Sequence, residues 1–240
     1  MVDKTINDLT EITSLSLDDY LIVETSSGTR KIKRSNISVQ GRKAPTMLQK
    51  GTLRNDGTIA LPVAPTVGNL MVHVQGGFNT YPAYTPAGFA NVAIFSSNAN
   101  NFVVASVRRV VSGDTGSYSV SASDNQFCAL YEYQDAEGIY GVVGGAAPVS
   151  GRTINYPCPP SPFGPNDECI IVIEHDATAV ATITPETGLI VDFEPLADGS
   201  NHIGAIYRRL PSFDGSLNGS WSSTPTNPVW GVFAVAGRWE

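Results

Sequence analysis

The sequence predicts an all-β protein: a small N-terminal β-hairpin followed by a jelly-roll-like antiparallel β-sandwich. Three observations carry this. The composition is rich in Gly, Pro, Ser, Thr, Asn, Val and Ala and holds few charges, which suits turns and strands and is poor in the Leu/Glu/Lys mixture that helices favour. Short apolar runs, several of them alternating, recur about every eight to twelve residues with turn residues between them. No stretch of ten or so residues shows a helical period.

The first domain spans residues 1–43. An aliphatic run, Tyr20 to Val23, is followed by a Ser26-Ser27-Gly28 turn and a second strand, Thr29 to Arg34. Gly28 supplies the positive φ that a short hairpin loop needs, and Ser35-Asn36 closes the strand or starts a single helical turn. A two-stranded hairpin is marginal in water, and chains shorter than about 40 residues rarely bury enough to fold alone. The segment has no cysteine and no metal-ligand cluster to staple it. Its physical reading is a docking element that a larger assembly completes.

Residues 44–50 then read as a linker and residues 51–240 as the sandwich. Asn55-Asp56-Gly57 is a tight-turn signal joining a strand near Leu48–Arg54 to Thr58–Leu61. Further strands are expected at 69–74, 90–96, 102–111, 117–122, 127–133, 169–174, 189–193, 202–210, 216–222 and 229–238. Ser117 to Ala122 alternates with Tyr118, Val120 and Ala122 on one face. Gly141-Val142-Val143-Gly144-Gly145 reads as a flexible turn region, and nothing marks a further domain boundary after residue 50.

Charge is uneven. Residues 1–43 carry a net +1 and the remainder a net −8. An acidic body argues against nucleic-acid binding, since phosphate contacts need positive charge. The basic cluster Arg30, Lys31, Lys33 and Arg34 reads as a solvated face that also blunts a strand edge, or as a match to an acidic docking partner. No apolar run approaches a membrane span and Met1-Val2-Asp3-Lys4 lacks a signal-peptide core, so membrane insertion and secretion by its own leader are not expected.

Chemistry-bearing residues are scattered. His73, His175 and His202 are far apart and none stands at zinc-ligand spacing, so no metal or cofactor is expected. Glu174-His175-Asp176 reads as the polar exit of a strand. Glu132, Glu174, Asp192 and Glu194 are candidates for the facing carboxylate pair of a glycosidase, but on alternating strands some point outward in any case, and no catalytic residue is assigned. Nucleophile-elbow and phosphate-loop motifs are absent. Cys128 reads as a small core hydrophobe. Cys158 and Cys169 flank a Pro-rich loop that they could close, with free thiols the favoured state. Phe78, Asn79, Tyr81 and Tyr84 share one Pro/Gly-rich loop, which offers either stacking faces and amide groups to a sugar or a cap on the core. Trp221, Trp230 and Trp239 read as core or subunit interface.

The N-terminal pattern resembles the attachment motif of bacteriophage tail fibre and tailspike proteins. The matching positions are Ile6, Asp8, Leu9, Leu17, Asp18, Asp19, Leu21, Val23, Gly28, Lys31, Ile32 and Ile37, with Thr10 where proline is usual. The ordered set VGNLMVHVQ, PAGF, the stretch from Asn101 to Gly138, HIGAIYRRL, GSWSS and VWGVFAVAGRW is similar to a β-sandwich module of phage tail proteins, with Phe89 where tryptophan is usual and Tyr133-Gln134-Asp135 in place of a Tyr-Arg-Gly turn. The resemblance implies a virion structural protein, a short tail fibre or fibre-like appendage. Its N-terminus would dock to tail, baseplate or capsid proteins, with a homo-oligomer, a trimer, as the assembled form and a host-surface glycan as a candidate ligand. A capsid decoration or baseplate adaptor, and a small polysaccharide depolymerase, are the alternatives.

Overall fold

The computed structural model describes residues 20–25, 28–33, 43–54, 57–78, 85–97, 101–120, 126–146, 153–156, 168–176, 183–184, 189–193, 202–209, 217–221 and 226–238. The chain divides into two units, Met1–Gly41 with Glu240, and Arg42–Trp239. All seventeen described elements are strands and every recorded strand pairing is antiparallel. The all-β reading holds.

In the first unit, β1 (Tyr20–Thr25) pairs with β2 (Gly28–Lys33) from Thr25↔Gly28 back to Tyr20↔Lys33. Residues 26–27 lie outside the described residues, and Gly28, expected within the turn, is instead the first residue of β2, paired with Thr25.

In the second unit, β3 (Thr46–Arg54), β5 (Leu70–Phe78), β6 (Ala90–Ser96), β7 (Asn101–Arg109) and β9 (Gln126–Gln134) form one sheet in the order β3-β9-β5-β7-β6. The chain then fills a second sheet from β10 (Ala136–Ala146), β12 (Glu168–Asp176), β14 (Ile190–Phe193), β15 (His202–Arg209) and β17 (Thr226–Gly237), in the order β10-β17-β12-β15-β14. Leu70, Val72, Val74, Val103, Ala105, Phe127, Ala129 and Tyr131 of the first sheet pack on Ile170, Val172, Ile206, Phe233 and Val235 of the second, an apolar layer between facing sheets. A further sheet, β11 (Thr153–Tyr156), β16 (Leu217–Trp221) and β13 (Ile183–Thr184), lies in the order β11-β16-β13.

Asp135 alone separates β9 from β10, and its φ of 56° turns the chain from one sheet into the other. A non-glycine residue in this left-handed region is uncommon, and Asp tolerates it better than most. The Asp135 carbonyl accepts the Arg238 amide at 2.6 Å, which closes the corner.

Two further expectations are corrected. Residues 46–50, read as part of the linker, are the first half of β3, paired with β9. Gly141–Gly145, read as a flexible turn, lies within β10 and pairs along its length with β17. Gly144 answers to packing: a Cβ there would strike the Phe95 ring and the Trp230 carbonyl. The strands expected on either side of Asn55-Asp56-Gly57 are present: β3 ends at Arg54 and β4 (Gly57–Ala60) opens on Gly57 at φ 108°, with residues 55–56 outside the described residues. β4 leaves the sheet and pairs with β8 (Ser117–Val120). Gly51 allows this crossing, because any side chain there would collide with the Ala60 carbonyl.

The β4–β8 ribbon covers the outer face of the first sheet. Ile59, Leu61 and Val120 pack there on Met71, Leu130, Cys128, Phe89 and Val110. This third layer explains why β9, whose sequence reads as half-buried, is buried on both faces from Phe127 to Tyr133.

Candidate functional site

Charged residues meet inside the sandwich along the rim where β3 and β14 are the edge strands. Arg208 on β15 lies between two carboxylates, donating Nε–H to Asp192 Oδ2 and Nη1–H to Glu168 Oε1 at 2.9 Å. Tyr131 Oη donates to Asp192 Oδ2 at 2.9 Å and Tyr133 Oη to Glu168 Oε1 at 2.6 Å. Lys50, the outermost member, reaches Asp192 Oδ1 at 2.5 Å. Both phenols titrate well above their ordinary range, first through burial and then through the neighbouring carboxylates. Burial would lower the Arg208 guanidinium, but its bonds to Asp192 and Glu168 hold it up, so it stays charged.

Local backbone geometry places these groups. Arg208 sits two residues beyond Ile206 on the inward face of β15. On β14 the register shifts between Val191 and Phe193, so Asp192 is the bulged residue and turns inward beside Phe193.

Glu132, on the outer face of the first sheet, is fully engaged. It accepts Gln49 Nε2–H at 2.5 Å, the Thr66 amide at 2.7 Å and Asn69 Nδ2–H at 2.6 Å. Burial raises its carboxyl, but these bonds outweigh that and hold it below the usual carboxylate range. Of the carboxylates weighed as glycosidase candidates, none of them assigned a catalytic role, the described ones stand apart from one another. Glu132 pins the 61–69 loop, Asp192 is tied to Arg208 and Lys50, and Glu174 is buried at the far end of β12. Glu194 lies outside the described residues. The facing carboxylates are Asp192 and Glu168, and Arg208 bridges them.

His73 is completely buried and directly opposite Ser106 in the β5–β7 register, with Nδ1 3.2 Å from the Ser106 hydroxyl and Nε2 without a hydrogen-bond partner. Burial lowers its pKa to about 3, so the ring is neutral. The edge of the Phe89 ring packs near it, centroids 6.2 Å apart. It is a core histidine. His175 and His202 fall in the β12–β15 ladder, where Asp176 pairs with His202. Among the described residues no three His, Cys, Asp or Glu side chains are grouped to hold a metal.

At the end of β7 a groove of about 580 Å³ is lined by Leu70, Ala90, Val107, Arg108, Arg109, Val111 and Glu137 with Gly88 and Gly138. Arg109 spans its mouth, donating to the Gly68 carbonyl at 3.3 Å and the Glu137 carbonyl at 2.5 Å. Glu137 is free to accept this because it sits at a register shift of β10, between Ala136 and Gly138. Arg108 is neutralised by Asp114 at 2.6 Å and lies 5.8 Å over the Tyr118 ring. The sequence reading assigned Arg109 and Glu137 no role; an Arg-Arg pair ending an apolar strand was the signal.

Of the docking residues, Leu21 and Val23 lie on β1 and Lys31 and Ile32 on β2, in the pairs Leu21↔Ile32, Ile22↔Lys31 and Val23↔Arg30. Ile6, Asp8, Leu9, Leu17 and Asp19 are outside the described residues, as are Asn79, Tyr81 and Tyr84; Phe78 closes β5. Cys128 and Cys169 are buried, while Cys158 is outside the described residues, so its pairing is not described. Trp230 is buried on β17. No helix among the described residues is long and apolar enough to cross a membrane. Comparison with protein-family models, with curated proteins and with solved structures finds no match to this chain.

Proposed function

We propose that this chain is a bacteriophage virion structural protein, a short tail fibre or fibre-like appendage. Its N-terminal hairpin docks to the particle, and its β-sandwich serves assembly or contact with a host-surface glycan. The observation that carries this is the hairpin itself. Among the described residues the two six-residue strands pair with each other and with no other strand, and cross-strand pairs contribute about 0.2–1 kcal/mol each, too little to offset the ordering of a separate unit. Such a ribbon, whose sequence carries Arg30, Lys31, Lys33 and Arg34 beside aliphatic residues, calls for a partner surface that is apolar with an acidic rim. A body with three packed layers supplies the inert, rigid part of an appendage. The protein works as a homo-oligomer, a trimer, in particles assembled in the host cytoplasm.

Deleting residues 1–41 tests the reading. The expected product is a folded, soluble sandwich that is missing from purified particles, whereas the intact chain is found at the tail by electron microscopy of labelled virions. Normal incorporation of the truncated chain would overturn the docking assignment, and absence of the intact chain from particles would overturn the virion role.

A further inference from the structure

The groove at the end of β7 is lined by two residues of opposite charge, Arg109 and Glu137, that have no ion-pair partner among the described residues. Both Arg109 hydrogen bonds go to main-chain carbonyls, whereas the adjacent Arg108 is matched by Asp114. Glu137, the bulged residue that supplies one of those carbonyls, is itself among the residues lining the groove. Leu70, Ala90, Val107 and Val111 make the remaining wall apolar.

A ligand for this groove must meet each part. Inorganic phosphate would satisfy Arg109 but face the Glu137 carboxylate and leave the apolar wall wet. A purely apolar ligand would strip water from both charges without replacing it, a desolvation penalty of several kcal/mol. A sugar that carries a carboxylate satisfies all three: its carboxylate takes the guanidinium N–H groups still open on Arg109, its hydroxyls donate to Glu137, and its C–H face rests on Val107 and Val111. The volume suits a ligand of one to a few sugar rings, in the lower part of the range for small-molecule sites.

We propose that this groove is a binding site for an acidic saccharide, with Arg109 as the carboxylate receptor and Glu137 as the hydroxyl acceptor. This deepens the glycan-contact part of the function proposed above. Its test uses purified full-length protein, so the outcome does not depend on whether the chain is found in particles.

Binding of methyl β-D-glucuronide and methyl β-D-glucoside, which differ only in carboxylate against hydroxymethyl, is measured by NMR titration or calorimetry, with inorganic phosphate and acetate as further probes. The glucuronide is expected to bind at least about tenfold more tightly than the glucoside, and more tightly than either simple anion. Arg109→Gln should abolish that preference, and Glu137→Gln should weaken both sugars. Arg109 also ties strand ends together, so Ala90→Glu serves as a second variant. It places bulk and negative charge in the groove from the exposed edge strand β6, and should abolish glucuronide binding with no change in thermal unfolding. No glucuronide binding by the wild type, equal affinity for glucoside, phosphate or acetate, or unchanged binding by Ala90→Glu would each overturn the proposal.

Discussion

Arg208 and Asp192 form an ion pair inside the sandwich, with Arg208 94 % and Asp192 wholly removed from solvent at the side chain. Removing one member of such a pair strands the other charge in the interior, at a cost of about 3–5 kcal/mol. Asp192→Asn and Arg208→Met should each lose that much stability in urea unfolding. Lys50, which reaches the same carboxylate from a side chain 36 % exposed, should matter far less, with Lys50→Met costing under about 1 kcal/mol. Equal losses for all three would show that burial does not set the strength of this network.

Glu132 anchors a loop. Three donors converge on its carboxylate, and hydrogen bonds to a charged group contribute about 1.5–3 kcal/mol each when set against leaving the donors unmet. Glu132→Gln should therefore destabilise by about 2–3 kcal/mol and speed amide exchange at Thr66 and Asn69. Because its pKa is depressed, its contribution is present above the ordinary carboxylate range and fades as the pH falls through the folded-state value. Unchanged exchange at Thr66 would count against this role.

His73 sets an acid limit. Its folded pKa of about 3 lies below the ordinary 6.5, so the unfolded chain takes up the proton first. The stabilisation is whole above pH 6.5 and is lost by about 1.4 kcal/mol per unit as the pH falls toward 3. Replacing both partners, His73→Leu with Ser106→Ala, removes the hydroxyl contact and the unmet Nε2 together, which should be near neutral at pH 7. The double variant should unfold at lower pH than the wild type in an acid titration. The same acid midpoint in both would place the acid sensitivity elsewhere.

Phe127 bridges the two sheets across a pair of glycines. Its ring occupies the space where Cβ atoms would stand on Gly76 of β5 and Gly204 of β15, and it stacks on Phe193 at 5.3 Å. Gly204→Ala should cost about 1–3 kcal/mol through overpacking, and Phe127→Leu should relieve part of that in a double-mutant cycle. Strictly additive losses would mean that the ring shifts freely.

Much of this was visible in the sequence, for identifiable reasons. β6 was legible to the residue and β5, β7, β8, β9, β12, β14, β15, β16 and β17 in place, because each is a short run of β-branched or aromatic residues between turn formers. β10 was not, since a strand with Gly138, Gly141, Gly144 and Gly145 has the composition of a loop; what keeps it extended is Phe95 and the Trp230 carbonyl, which lie far away in sequence. The short β11 and β13 carry too few residues to show a period. Bulges hid the site residues. Asp192 and Glu137 each stand where the register shifts, so counting by twos from their neighbours assigns them to the wrong face. Arg208 shows its place only once β14 supplies the carboxylate.

The bulge at Asp192 has a bearing on how the last edge strand is chosen during folding. If β14 slid by one residue along β15, Arg208 would keep only Glu168 of β12 and the Asp192 carboxylate would lose its buried partners, at a cost of several kcal/mol. A four-residue strand gains less than this from its ladder bonds. The misaligned arrangement is thus rejected as it forms, and the rim closes in a single alignment.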